Sequence, residues 1–224
     1  MEYTEYEQRH LDSLRELEEA SQVRVYHMER GPIEVAVGDA GATFVKISSW
    51  RDLELDQELQ RCFLRFEGIS AHWRFDHQDV SFSGEFSVGH LAASLLTVGV
   101  DVDDEDATDE ESRLYSELCL FDDQPRGGGD TFAALRIPPG TTSPEIWYHD
   151  GPLGLFKMDL DYCTYLDVLL ATKGTYGWQH LFTDTEDSEA GIHVPTMKHM
   201  LDVFPAVFPD HDYTDLRTRL EERL

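Results

Sequence analysis

Apolar side chains recur along this chain with two different periods, and the sharpest change from one to the other falls within residues 145–182. Ile146, Trp147 and Tyr148 face Leu155, Phe156 and Met158 across Gly151, Pro152 and Gly154, the composition of a β-hairpin and its turn. From Tyr162 the period lengthens. Tyr162, Tyr165, Leu166, Leu169 and Leu170 fall at i, i+3, i+4, i+7 and i+8, one apolar stripe of a helix. Lys173 and Gly174 read as a basic last turn and a left-handed cap, and Trp178, Leu181 and Phe182 return apolar bulk to the core.

The same two periods organise the rest of the chain. Residues 2–20 predict a surface helix with Tyr3, Tyr6, His10, Leu14 and Leu17 on one side. Residues 23–28 read as extended. So do 33–37 and 43–47, which the turn-forming cluster at 38–41 joins into an expected hairpin. Residues 52–67 predict a helix that buries Leu55, Leu59, Cys62, Phe63 and Phe66 and stops at Gly68. Alternation in Ile69, Ala71, Trp73 and Phe75, and in Val80, Phe82, Phe86 and Val88, predicts two strands, with Gly84 marking a bulge or a close backbone approach. Residues 89–98 fit a short helix and a strand equally. Leu114, Leu118 and Leu120 are expected in the core. Residues 125–130 predict a turn that needs positive φ, and 131–137 a strand. Two helices close the chain. The first carries Met197, Met200, Leu201 and Phe204 and is bent or ended by Pro205; the second has a cap at Thr214 and Leu216, Leu220 and Leu224 inside.

No linker and no repeat interrupts this order. The expectation is one α+β domain over residues 1–224, an antiparallel or mixed twisted sheet with helices before, between and after its strands. Residues 1–48, a helix plus hairpin, read as an N-terminal extension.

Composition changes this picture through charge. Forty-five acidic residues stand against 18 basic ones, a formal net charge of -27. Such a surface repels phosphate backbones and anionic membranes, so neither nucleic acid nor a membrane is an expected partner. It favours rapid association with a basic protein, since opposite fields raise on-rates roughly ten- to a thousand-fold. The densest negative stretch is residues 101–112, with eight carboxylates in twelve positions, read as a solvated loop. Its Asp103, Asp104, Glu105, Asp106, Asp109, Glu110 and Glu111 are the candidate partner-binding residues. Cys62, Cys119 and Cys163 are far apart and odd in number, which suggests buried thiols in a reducing cytoplasm. The acidic start of the chain lacks the apolar core of a signal peptide, and no apolar run reaches the ~20 residues of a membrane span.

Candidate chemistry is sparse. In calcium-loop register from Asp101, the glycine position holds Asp106 and the closing glutamate position holds Ser112, so a dedicated calcium site is not expected. His72 and His77, and His193 and His199, lack the spacing of a zinc protease, and His149 reads as a surface residue of the hairpin turn. Glycines 127–129 lack the Lys-Ser/Thr of a phosphate loop. Asp159 and Asp161 form a conceivable carboxylate pair, although Asp161 better suits a helix cap. No cofactor, metal or catalytic residue is expected.

Several segments, in this order, resemble the SUKH superfamily of fungal cell-wall regulators and bacterial immunity proteins. They are ELQRCFLRFEGISAHWRF, SGEFSVGHL, LCLFDDQPRGGGDTFAAL, EIWYHD, LFKMDLDYCTYLDVLLATKGTYGWQHLF and the closing LDVFPAVFPDHDYTDLRTRLEERL. The resemblance covers about residues 52–224 and rests on structural motifs. It implies an α+β fold, no enzymatic activity and, for bacterial members, neutralisation of a toxin. Toxins that act on nucleic acids carry basic clefts, which an acidic protein can cover. The expected function is therefore a cytoplasmic immunity protein that binds a basic toxin domain. A regulator or scaffold of the same fold is the second expectation. A hydrolase built on His72, His77 or Asp159 and Asp161 is the third.

Overall fold

The computed structural model describes residues 2–34, 36–51, 53–101, 108–127, 129–184 and 191–224, and its seven strands form one antiparallel sheet in chain order. The strands are β1 (Val23–Arg30), β2 (Ile69–His77), β3 (Val80–Val88), β4 (Cys119–Asp123), β5 (Thr131–Arg136), β6 (Glu145–Asp150) and β7 (Gly154–Met158). Around them lie α1 (Glu5–Glu19), α2 (Ala40–Arg51), α3 (Leu91–Leu96), α4 (Asp109–Glu117), α5 (Tyr162–Thr172), α6 (Val194–Val207) and α7 (Thr214–Glu221). The fold is α+β, with every strand pair antiparallel.

Alternation along the strands decides which face each side chain takes. In the β2–β3 pair Trp73 lies opposite Gly84, Phe75 opposite Phe82 and Ala71 opposite Phe86, so one face is continuously apolar. The helices α1, α5, α6 and α7 contribute Leu14, Leu17, Tyr165, Leu166, Met200, Phe204 and Leu216 to the main core on that face. The other face is covered only in part. There α4 and the turn after it bring Tyr115 and Leu118 onto Phe132 and Ala134, a second and smaller apolar cluster.

Several expectations change in the structure. Residues 33–47 are not a hairpin: Ile33 makes only an isolated bridge to Phe66, and residues 40–51 form α2. The Asp39 carboxylate accepts the Ala42 N–H at 2.8 Å, which starts a helix where a turn was expected. Thr43, Phe44 and Ile47 then share a helical face as readily as a strand. Nor are residues 1–48 an appendage to the sheet, since β1 pairs with β2 from Val23 to Arg30.

The helix expected over 52–67 shrinks to a 3-10 segment, Gln57–Cys62. Beyond it the chain is extended and pairs with residues 32–34 through Glu34 N–H to Arg65 O and Glu67 N–H to Pro32 O. The buried Glu7 carboxylate holds Arg65 there, receiving its Nε at 2.7 Å, its Nη2 at 2.6 Å and its backbone N–H at 3.0 Å. Tertiary pairing has overridden a helical period.

Smaller changes follow the same logic. Leu120 is on the outward side of β4, where Cys119 and Phe121 take the core, and Leu224 is 70% exposed. Residues 91–96 are helical. Pro205 lies inside α6 without ending it, and Asp212, not Thr214, accepts the first N–H of the last helix.

Cys62 and Cys163 are joined in a disulfide, which corrects the reading of three thiols. It ties the 3-10 segment to the first turn of α5 across 101 residues of sequence, with Cα atoms 5.4 Å apart. A crosslink of that span contributes about 2–4 kcal/mol. Cys119 remains a buried thiol. Among the described residues no helix is long and apolar enough to cross a membrane.

The turn after α5 docks the helical layer on the sheet. Lys173 takes a left-handed φ of 54° and accepts the Trp73 indole N–H at 2.7 Å on its carbonyl. Gly174 O receives Glu85 N–H at 2.9 Å, and Tyr176 N–H reaches Ser83 O at 3.1 Å. Gly84 is the contact point: a Cβ there would stand 2.5 Å from the Trp73 ring and 2.7 Å from Gly174 O. Of the bulge and the close approach expected at this glycine, the structure contains the close approach. Gly84→Ala is expected to destabilise the protein by about 1–3 kcal/mol. Gly38→Ala, whose new methyl meets only Ala42 at 3.8 Å, should cost little. Urea midpoints of the two variants test the difference.

Candidate functional site

The hairpin β6–β7 and the segment after α5 converge on one polar cluster. Asp150 ends β6 on the core-facing side, two residues beyond Tyr148, and Phe156 of β7 lies opposite Tyr148. Gly177, with φ of 80°, turns the chain into a 3-10 segment, Trp178–Phe182, which carries His180. His193 stands at the start of α6. Both imidazoles meet the same oxygen: His180 Nε2 is 2.6 Å and His193 Nε2 2.9 Å from Asp150 Oδ2. The rings stack at 4.8 Å and 17°.

The surroundings fix both histidines. His180 is fully buried, with the edges of Tyr148 and Phe156 against it at 5.2 and 5.5 Å. His193 is the accessible member, its side chain 21% exposed. It lies so close over Gly177 that a Cβ there would be 2.4 Å from the ring. Burial pushes the Asp150 carboxyl upward, but hydrogen bonds and charge from His180 and His193 outweigh it and hold the group well below the usual carboxylate range. Burial lowers His180, with the Asp150 hydrogen bond opposing. The arrangement can share protons or hold a cation.

Two other buried carboxylates are already engaged. Glu85 accepts the N–H groups of Arg126 and Gly127 at 2.9 and 2.8 Å and the Tyr176 hydroxyl at 3.1 Å. That carboxylate occupies the N–H groups of the glycine-rich turn, in which Gly129 and Asp130 have the expected positive φ. Asp122 accepts Ser87 N–H and the Tyr165 hydroxyl at 2.9 and 2.7 Å, and burial pushes its carboxyl up to about 7.

The carboxylates chosen from sequence lie elsewhere. Asp103, Asp104, Glu105 and Asp106 fall outside the described residues. Asp109, Glu110 and Glu111 form the exposed first turn of α4 rather than a loop, opened by a capping box in which Thr108 and Glu111 bond reciprocally. His72 lies beside Tyr26 on β2, and His77 is exposed at the end of that strand. Asp159 pairs with Arg219 at 3.0 Å, and Asp161 caps α5 through Thr164 N–H at 2.7 Å. These four do not meet, so the hydrolase expectation loses its site. His149 is buried rather than on the surface: it stacks on Phe132 at 4.8 Å and bonds the Tyr115 hydroxyl at 3.1 Å.

The sequence pattern singles out His149 in the hairpin turn but not Asp150 beside it, and sets His193 only against His199. Thirty residues separate Asp150 from His180, and Lys173, Gly174 and Gly177 all take positive φ in the turn that leads back to it. Comparisons of this chain with protein-family models, with curated proteins and with solved structures give no match.

Two outcomes follow from these clusters. Asp150→Ala leaves His180 buried without its partner and is expected to cost about 1–3 kcal/mol. His193→Ala, at an accessible position, should cost less; chelator-treated protein in urea checks the order. Asp122 has a folded pKa of about 7, raised above its unfolded value of about 3.9. The native state therefore holds the extra proton between these values, and this contribution to stability is lost as pH rises from about 4 to about 7. Asp122→Asn should remove that component, so the difference between variant and wild type in urea midpoint shifts toward the variant across this range.

Proposed function

We propose that this chain is a non-enzymatic binding protein of immunity type, which neutralises a basic, nucleic-acid-targeting toxin domain by covering its cleft. The observation that carries the reading is the net charge of -27. The pairs of Arg9 and Arg61 with Asp167, Arg30 with Glu18, Arg136 with Glu117 and Glu145, and Lys157 with Glu145 join partly exposed groups of both signs and leave this surplus unchanged. The exposed Asp109, Glu110 and Glu111 stand at the first turn of α4, within the densest acidic stretch, and they are the proposed contacts. Exposed ion pairs contribute only about 0.2–1 kcal/mol each, so charge supplies speed and register, while affinity requires apolar anchors.

A cytoplasmic location belongs to this proposal. The expectation of a reducing compartment drew on three free thiols, and the Cys62–Cys163 disulfide removes that support. The proposal includes no cofactor and no direct contact with nucleic acid. A regulator or scaffold of the same fold would instead associate with partners unrelated to toxins.

The test is co-purification with the protein encoded beside it, followed by titration of the complex in rising salt. Affinity is expected to fall with ionic strength, mainly through the association rate. Asp109→Lys combined with Glu110→Lys should slow association by roughly tenfold or more. Absence of binding to any neighbouring or basic toxin domain, or affinity indifferent to salt, overturns the reading.

A further inference from the structure

We propose that Asp150, His180 and His193 form a binding site for one divalent first-row metal ion of the zinc class. One ligand atom from each residue lies within 4.8 Å of the others. The donor set is two imidazole nitrogens and one carboxylate oxygen, the mixture that zinc and its neighbours accept and that magnesium and calcium do not favour. Both Nε2 atoms already aim at a single point, Asp150 Oδ2. Metal bonds of about 2.0–2.1 Å place tetrahedral ligand atoms roughly 3.3 Å apart, so the two nitrogen–oxygen distances of 2.6 and 2.9 Å have to open by less than about 1 Å.

The scaffold favours this use. The ligands come from the end of β6, the 3-10 segment and the start of α6, elements held by sheet pairing and by the buried aromatic edges around His180. Gly177 leaves the space in which the His193 ring lies. His193 is partly exposed, which gives an ion an approach from solvent and leaves room for water as the remaining ligand. The surplus of 27 negative charges raises the local concentration of any cation. A His–Asp–His hydrogen-bond cluster that only pins α6 to the hairpin is the alternative, and metal uptake separates the two. The inference goes beyond the binding function proposed above, and its failure would leave that function untouched.

The experiment uses the full chain, stripped with chelator and titrated with Co(II), whose visible d–d absorption reports nitrogen and oxygen coordination. One equivalent should bind, and Zn(II) should displace it. His193→Ala and Asp150→Asn should each weaken uptake at least tenfold, and Gly177→Ala should weaken it by displacing the His193 ring. His77→Ala and His199→Ala should leave it unchanged. Circular dichroism of His193→Ala, at the accessible position, establishes that the fold is retained. No saturable uptake by the wild type overturns the proposal. So does uptake that survives His193→Ala in folded protein, or uptake lost in His77→Ala or His199→Ala instead.

Discussion

The docking of the turn at 173–177 on the β2–β3 pair is the constraint on which the rest of the structure depends. Three backbone or indole hydrogen bonds, counting that of Gly84's neighbour Glu85, cannot form unless two backbones approach without an intervening Cβ. Lys173 takes part through both ends. Its carbonyl holds the Trp73 indole, while its fully buried amine reaches Ser13, Glu16 and His211 and lies 5.0 Å from the Phe208 ring. Burial lowers this amine to about 8, with Glu16 opposing the shift. A charge in such a place is tolerable only when hydrogen-bonded and paired. One residue thereby gathers α1, α5 and the segment before α7 over the sheet.

From that turn the chain passes directly into the cluster of Asp150, His180 and His193. Gly177 supplies a further left-handed step after Lys173 and Gly174, and the short 3-10 segment presents His180 to the end of β6. The position of the cluster is therefore a consequence of the docking. Displacing the turn would move His180 away from a carboxylate that belongs to a different hairpin. Specificity of the fold and geometry of the site share one origin.

The acidic surface and the buried polar clusters answer to different physics. Exposed carboxylates on α4 are solvated, individually weak and act through their summed field. Buried ones such as Glu7, Glu85 and Asp150 are each satisfied by specific donors, because an unpaired buried charge costs far more than a surface pair returns. A chain with 45 acidic residues can thus keep a few inside without losing its core.

Sequence alone determined the strands and helices whose apolar period admits one solution. Trp73, Phe75, Phe82 and Phe86 alternate through β2 and β3, Tyr165 and Leu169 stripe α5, Gly84 marked a bulge or a close approach, and residues 125–130 a turn with positive φ. It also determined the formal net charge of -27. The folded chain decided stretches that the apolar period assigned differently. Residues 43–47, expected as a strand, lie in a helix behind the Asp39 cap, and 63–67 left their expected helix to pair with 32–34 beside Glu7 and Arg65. It alone brought Cys62 to Cys163 and Asp150 to His180 and His193, because contacts between residues 30 to 101 positions apart leave no periodic trace in the intervening chain.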